Sequence, residues 1–296
     1  MIYLSHFGLR EPPFGITPDT SFYFSCSAMQ QGLNTLLVAV DSGEGFIKIT
    51  GEVGTGKTLL CRKLLATLGA EYTTAYLPNP AVRPLTLIRA IAEELQLKWE
   101  AALDQHHLLH VIRTALLEHA AAGRRVLLCV DEAQAMPIET LETVRLLTNL
   151  ETEKRKLLQV VLFGQPELDD KLARPEIRQL RQRITFEFRL TALTRQEVRN
   201  YLAHRMAVAG YSGSEVFTRA AARVVFRATR GVPRLVNIIA NKALMLAFGR
   251  GSRRVGWSNA RAAIWDTPAA RLAQPAWVWL AMACIAGSGL GWALLK

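Results

Sequence analysis

Cysteine is scarce and falls in no metal or redox pattern. Cys26, Cys61, Cys129 and Cys284 are scattered through 296 residues without a C-x-x-C pair. That spacing excludes a disulfide framework and a thiolate metal site, and it predicts a reduced, cytosolic compartment. The first ten residues have no charged segment followed by an apolar run, so no cleavable signal peptide is expected. Acids are nearly missing from one segment: between Thr191 and Pro275 only Glu197, Glu215 and Asp266 face fourteen Lys or Arg. The remainder holds twenty-two of each sign, so the whole net charge of +11 belongs to that segment. Such a patch fits an anionic partner, lipid or nucleic acid, or is a solvated basic face; composition alone does not choose. Charge of either sign is absent from residues 276–295. Half of the residues are apolar, which excludes a disordered chain, and the length suffices for one large or two modest domains.

The rest of the chain is arranged around Gly51-Glu52-Val53-Gly54-Thr55-Gly56-Lys57-Thr58, which fits the phosphate-loop pattern G-x-x-x-x-G-K-[ST]. It follows the apolar run Phe46-Ile47-Lys48-Ile49-Thr50 and opens into Leu59-Leu60-Cys61-Arg62-Lys63-Leu64-Leu65, giving the strand, turn and helix that the pattern needs. Glycines allow a tight turn whose N–H groups point at phosphate oxygens, at the positive end of a helix. On this reading Lys57 reaches the β- and γ-phosphates of ATP and Thr58 the magnesium ion.

Val126-Leu127-Leu128-Cys129-Val130 reads as a strand buried on both faces and ends in Asp131-Glu132, 74 positions after Lys57. Ligands of open α/β sheets bind beyond the carboxyl ends of the strands, so the two motifs can share a crevice. Asp131 is the candidate magnesium ligand, directly or through water, and Glu132 the group that orients and activates the attacking water. Gln165, ending the next strand, is either a partner of the γ-phosphate or the water, or a turn residue. Arg181 and Arg183 precede the last strand, where a neighbouring subunit's nucleotide is within reach. Arg183 is preferred over Arg181 and Arg178 for stabilising transferred charge.

In chain order, prolines at 12, 13 and 18 argue for an extended N-terminal arm over 1–28. Alternating apolar strands and helical patterns over 29–190 imply a three-layer α/β domain with a parallel sheet. The strands are read at Phe46–Thr50, Thr74–Leu77, Val126–Val130, Leu157–Phe163 and Ile184–Leu190, with helices over Gln31–Val40, Leu85–Leu95 and Leu108–Ala121. Residues 191–268 read as a basic, all-helical lid: Thr194 with Glu197 forms an N-cap box, and helices follow over Val198–Val208, Thr218–Ala228 and Val232–Phe248. Arg234 stands in the first turn of the last of these, where an arginine is not the charge the helix prefers. An anionic partner such as a nucleotide γ-phosphate would account for it.

Residues 276–295, AWVWLAMACIAGSGLGWALL, are long enough as a helix to cross the hydrocarbon core, with Trp277 and Trp279 near one end and Trp292 near the other. Arg250, Arg253, Arg254, Arg261 and Arg271 precede the stretch and Lys296 follows. The expectation is a single span with the preceding domain in the cytoplasm and the C-terminus at the far face.

Together, the phosphate loop, the run ending Asp131-Glu132-Ala133-Gln134, Arg181-Gln182-Arg183, and Gly231-Val232-Pro233-Arg234 followed by Asn237 resemble an AAA+ ATPase. They are most similar to the branch of the general-secretion-pathway A proteins. The opening His6-Phe7-Gly8-Leu9-x-Glu11-x-Pro13-Phe14 and Thr17-Pro18-Asp19 match that branch's start. The wording from Ser42 to Lys63 is similar to ATPases of mannose-sensitive haemagglutinin (MSHA) pilus biogenesis. The resemblance covers about residues 1–265. It implies a P-loop sandwich with a helical lid, an ATP-dependent homo-oligomeric ring, Arg234 as the lid's nucleotide sensor, and assembly of a type IV pilus or type II secretion complex. Implied partners are pilus or secretion membrane proteins, a secretin, and a periplasmic wall-binding protein, beside an inner membrane with anionic lipid. Gln165 stands where AAA+ proteins commonly carry asparagine or threonine. Two other readings stay open: a nucleic-acid-handling ATPase resembling DNA-transposition helpers, against which the uncharged tail argues, and a nucleotide-gated scaffold that barely turns ATP over.

Overall fold

The computed structural model describes residues 3–100, 103–151 and 156–271. The first element, α1 (Leu4–Phe7), belongs with the helical unit described last. Residues 18–192 form the first compact unit. In it α2 (Ser27–Asp41) leads to β1 (Phe46–Gly51), α3 (Lys57–Thr67) and β2 (Tyr72–Leu77). Next come α4 (Pro84–Glu94), α5 (Gln105–Ala121), β3 (Arg125–Val130) and α6 (Ile138–Leu147). The unit closes with β4 (Leu158–Gly164), α7 (Glu167–Leu172), α8 (Arg178–Arg181) and β5 (Ile184–Leu190).

The five strands form one sheet in the order β2-β3-β4-β1-β5, with every neighbouring pair parallel. β1 and β4 are buried along their whole length and β3 nearly so, which is why they read as mainly apolar, with Lys48, Thr50 and Gln159 the polar residues taken inside. β5 is an edge strand and alternates instead, exposing Thr185, Glu187 and Arg189. Alternate strand residues such as Val126, Leu128, Leu158 and Val160 share one apolar core with residues of the helices. Those are Leu87, Ile88 and Ile91 of α4, Leu108, Ile112 and Leu116 of α5, and Leu141 and Val144 of α6. α2 and α3 pack against β1, β4 and β5. Apolar area removed from water at about 25 cal/mol per Å² is what holds these layers together. Parallel pairing places Gly51, Val130 and Gly164 at one edge, and β4 lies between the two strands that carry the motifs.

Helices α6, α7 and α8 were not expected from the sequence. α6 follows Pro137 and buries Leu141, Val144 and Leu147 at helical spacing, while α7 and α8 are too short to establish a period.

Residues 3–17 and 193–271 form the second unit. It holds α1, α9 (Arg195–Val208), α10 (Arg219–Thr229), α11 (Pro233–Gly249), α12 (Trp257–Trp265) and α13 (Pro268–Arg271). Thr194 caps α9 with Glu197 in the reciprocal box read from the sequence, Thr194 N donating to Glu197 Oε2 at 2.8 Å. At Gly231, φ is 80° and an added Cβ would lie 1.9 Å from the Leu193 carbonyl oxygen, so only glycine fits that turn.

The chain start departs from an extended arm over 1–28. Leu4–Phe7 is a helical turn ahead of the first proline, Thr20–Phe22 is a 3-10 turn, and the segment divides between the two units at 17/18. Residues 3–17 are tied down: Tyr3 OH donates to Asn241 Oδ1 at 2.6 Å, and Arg205 Nε donates to the Pro13 carbonyl at 2.5 Å. Asn237, one turn after Arg234, is used the same way, accepting from Tyr201 OH at 2.9 Å and donating to the Gly15 carbonyl at 3.0 Å. α12 was missed because its buried side is two alanines with Asn259 and Ile264, which gives little periodic signal. Among the described residues no helix is long and apolar enough to cross a membrane, and the span read at 276–295 lies outside them.

Candidate nucleotide-binding site

At the end of β1 the chain must pass close to β5: a Cβ on Gly51 would lie 2.7 Å from the Leu190 carbonyl oxygen. The loop then turns through Gly54 (φ 80°) and Gly56 (φ 108°), and Thr55 Oγ1 closes it by donating to the Glu52 carbonyl at 2.8 Å. α3 begins at Lys57 with Gly56 as its N-cap and no side-chain cap, so its first N–H groups are presented to an anion. Lys57 is 5% exposed, and its Nζ donates to the carbonyls of Gly51 at 2.7 Å and Glu52 at 3.1 Å. Burial pulls this amine below the ordinary lysine value of 10.5, opposed by the charges of Glu132, Asp131, Glu52 and Glu167. Lys57 therefore lies over its own loop, at the mouth that a phosphate would enter.

Thr58 Oγ1 donates to Asp131 Oδ2 at 2.6 Å, joining the loop to the end of β3. Tyr76, at the end of β2, donates its hydroxyl to the same oxygen at 3.4 Å. Burial, with the Asp131 charge beside it, pushes this phenol up to about 12. Asp131 Oδ1 accepts from the Glu132 N–H at 3.0 Å. Glu132 itself is left-handed, with φ 52°, a conformation that costs a residue with a side chain about 1–2 kcal/mol. Its carboxylate Oε2 accepts from Gln134 Nε2 at 2.5 Å and from Gln165 Nε2 at 3.0 Å. Gln134 Oε1 in turn accepts from the Gln165 N–H at 2.9 Å, and Lys171 Nζ donates to the Gln134 carbonyl at 2.5 Å. Two amides and a strained backbone thus fix where the glutamate points.

The structure brings together Lys57, Thr58, Asp131, Glu132 and Gln165. Gln165 donates to the Glu132 carboxylate, a partner that the sequence does not single out. Arg183 is not brought to its own loop. It precedes Ile184, at the opposite end of β5 from Leu190, and β5 pairs with β1 so that Leu190 and not Ile184 faces Gly51. Glu151, before β4, marks the same far end of the sheet: its carboxyl is held low first by Lys156, with Arg183 adding a smaller share. Arg234 is exposed in the first turn of α11, within the helical unit. Gln134 and Tyr76 were missed. Each lies at or just past a strand's carboxyl end, the one signal that pointed to them.

Thr58 and Asp131 offer a hydroxyl and a carboxylate, the hard oxygen donors that magnesium takes in ones and twos beside phosphate and water. The residues present therefore fit both a nucleotide's phosphates and that ion.

An AAA domain model matches residues 40–172. General secretion pathway protein A of Aeromonas hydrophila is 43% identical over 254 residues, which are 86% of this chain and 46% of that protein. The chain thus spans just under half the length of that relative. Among solved structures, CDC6P of Pyrobaculum aerophilum matches with a TM-score of 0.67 and 19% identity over 84% of this chain and 70% of that one. The ORC2 protein of Aeropyrum pernix, in its ADPNP-ADP complexes, matches with a TM-score of 0.62 and 17% identity over 84% and 72%. Those identities carry the fold alone. With phosphate loop, strand order and relative in agreement, the chain belongs to the AAA+ family of P-loop proteins, in the group of general secretion pathway protein A.

Proposed function

We propose that the chain is a membrane-anchored ATPase whose hydrolysis cycle drives assembly of an envelope-spanning type II secretion or type IV, MSHA-like pilus complex. The observation that carries the enzymatic part is the unbroken run of contacts from Thr58 through Asp131 to Glu132 and Gln165 at the mouth of the phosphate loop. Lys57 moves from its loop carbonyls onto the β- and γ-phosphates, and the loop N–H groups hold their oxygens. Thr58 and Asp131 would hold magnesium, which supplies charge neutralisation on the phosphates when bound. Glu132, held on Oε2 by Gln134 and Gln165, takes a proton from the attacking water while the water oxygen bonds to the γ-phosphorus and the bond from that phosphorus to the bridging oxygen of ADP breaks. Arg183 acts on a neighbouring copy in a ring, and Arg234 senses nucleotide from the helical unit.

Membrane anchoring is supported by the twenty uncharged residues 276–295, which follow five arginines and precede one lysine. On that reading the ATPase faces the cytoplasm at the inner membrane and the C-terminus lies at the periplasmic face. The assembly role is supported by the relative's name, general secretion pathway protein A. Secretion or pilus membrane proteins, a secretin and a wall-binding protein are the proposed partners. The basic segment keeps one rival in view, an ATPase that handles nucleic acid.

Fractionation separates the two. The full chain and a version ending at Arg271 are assayed for membrane retention and for ATPase activity with and without DNA. Retention of the full chain alone, with activity indifferent to DNA, is the expected result. A full chain in the soluble fraction with DNA-stimulated turnover would replace this reading by the rival.

A further inference from the structure

α12 buries Asn259, Ala260, Ala263 and Ile264 on one side. Its other side carries Trp257, Arg261 and Trp265, one helical turn apart, with the two indoles 48% and 52% exposed. A side chain of this size is usually mostly buried, so two on one outer face call for an occupant. They border a shallow hollow of about 530 Å³, and the Arg261 guanidinium lies 5.0 Å from the Trp257 ring centre. Arg250, Arg253 and Arg254 are exposed just ahead of the helix, and Arg250 reaches the same face by donating to Ser258 Oγ at 3.3 Å. The face's acid, Asp266, is paired with Lys242 Nζ at 2.8 Å, which leaves the arginines to set its sign.

We infer that this face of α12 docks on the headgroup layer of an anionic bilayer. Indole rings, apolar with a polar N–H, settle at the membrane interface, and guanidinium groups fork onto lipid phosphates. Each arginine near such a surface is worth about fivefold in affinity. The inference rests on the membrane reading above: the uncharged stretch 276–295 begins shortly after Trp265 in sequence, so the helix works close to the bilayer.

The test reconstitutes the full chain in vesicles of phosphatidylcholine alone or mixed with phosphatidylglycerol. Hydroxyl-radical oxidation is then read residue by residue, with Trp99 of the other unit as internal reference. Flotation with both vesicle types, with oxidation of Trp257 and Trp265 falling about fivefold or more only when phosphatidylglycerol is present, is the expected result. A variant carrying Arg253→Glu, Arg254→Glu and Arg261→Glu should float equally well and lose that protection. Flotation with both vesicle types, with oxidation of Trp257 and Trp265 the same in the two lipids, would overturn the docking face and leave the anchor standing. Protection equal in both lipids and rising with protein concentration would make the occupant a second copy and overturn the inference. Protection by added duplex DNA in phosphatidylcholine vesicles would overturn it in favour of nucleic acid. Failure to float in either lipid would remove the membrane reading and this inference with it.

Discussion

Lys57 shows the cost of holding a buried charge in place. Its amine is buried and its affinity for the proton is lowered, mainly by desolvation. Below that lowered value both the folded and the unfolded chain hold the proton. Between it and the ordinary 10.5 only the unfolded chain still does, so the unfolded state binds more protons and stability rises with pH across that window. Tyr76, raised to about 12, contributes with the opposite sign above 10, so the informative quantity is the difference between wild type and Lys57→Met. Urea unfolding at a series of alkaline pH values should show the wild type gaining on the variant through the Lys57 window. ATP at a hundred times its Kd should stabilise the wild type by about 2.7 kcal/mol and the variant not at all. Parallel curves would mean that the buried amine is not the perturbed group.

At the scale of elements, the sheet decides which arginine can serve which nucleotide. β5 runs from Ile184 to Leu190, roughly 20 Å at strand rise, so Arg183 and the phosphate loop of one chain sit at opposite ends of it. The proposed function therefore assigns Arg183 to the nucleotide of a neighbouring copy. Mixing Lys57→Ala, which keeps its arginine, with Arg183→Ala, which keeps its loop, should restore turnover that neither shows alone. A mixture as inactive as its components would end the trans assignment. The length of β5 was legible in the sequence, but the register that sets Leu190 and not Ile184 beside Gly51 was not. The strands themselves were legible: Val126–Val130 of β3 is an unbroken apolar run, and β1 and β4 are apolar but for Lys48, Thr50 and Gln159, which the fold buries as well. α12 was not, since alanines on its inner side and tryptophans on its outer side blur the periodicity that marks an amphipathic helix. The phosphate loop and Asp131-Glu132 could be read because their chemistry is local. Gln134 could not be given a role, since its partner Gln165 is thirty-one residues away and is brought near only by the end of β4.

For the whole molecule, the P-loop unit and the helical unit belong to an AAA+ protein related to general secretion pathway protein A, and its proposed activity stands on hydrolysis of ATP through Glu132. The direct measurement is steady-state phosphate release by the full chain with ATP and magnesium, set beside Glu132→Gln, with ATP affinity measured on both. The amide keeps the shape and removes the base, so affinity should be unchanged while turnover falls by about 10²–10⁴. Equal, substantial rates in the two proteins would contradict the assignment of Glu132, and no measurable release from either with ATP still bound would leave the chain a nucleotide-gated scaffold.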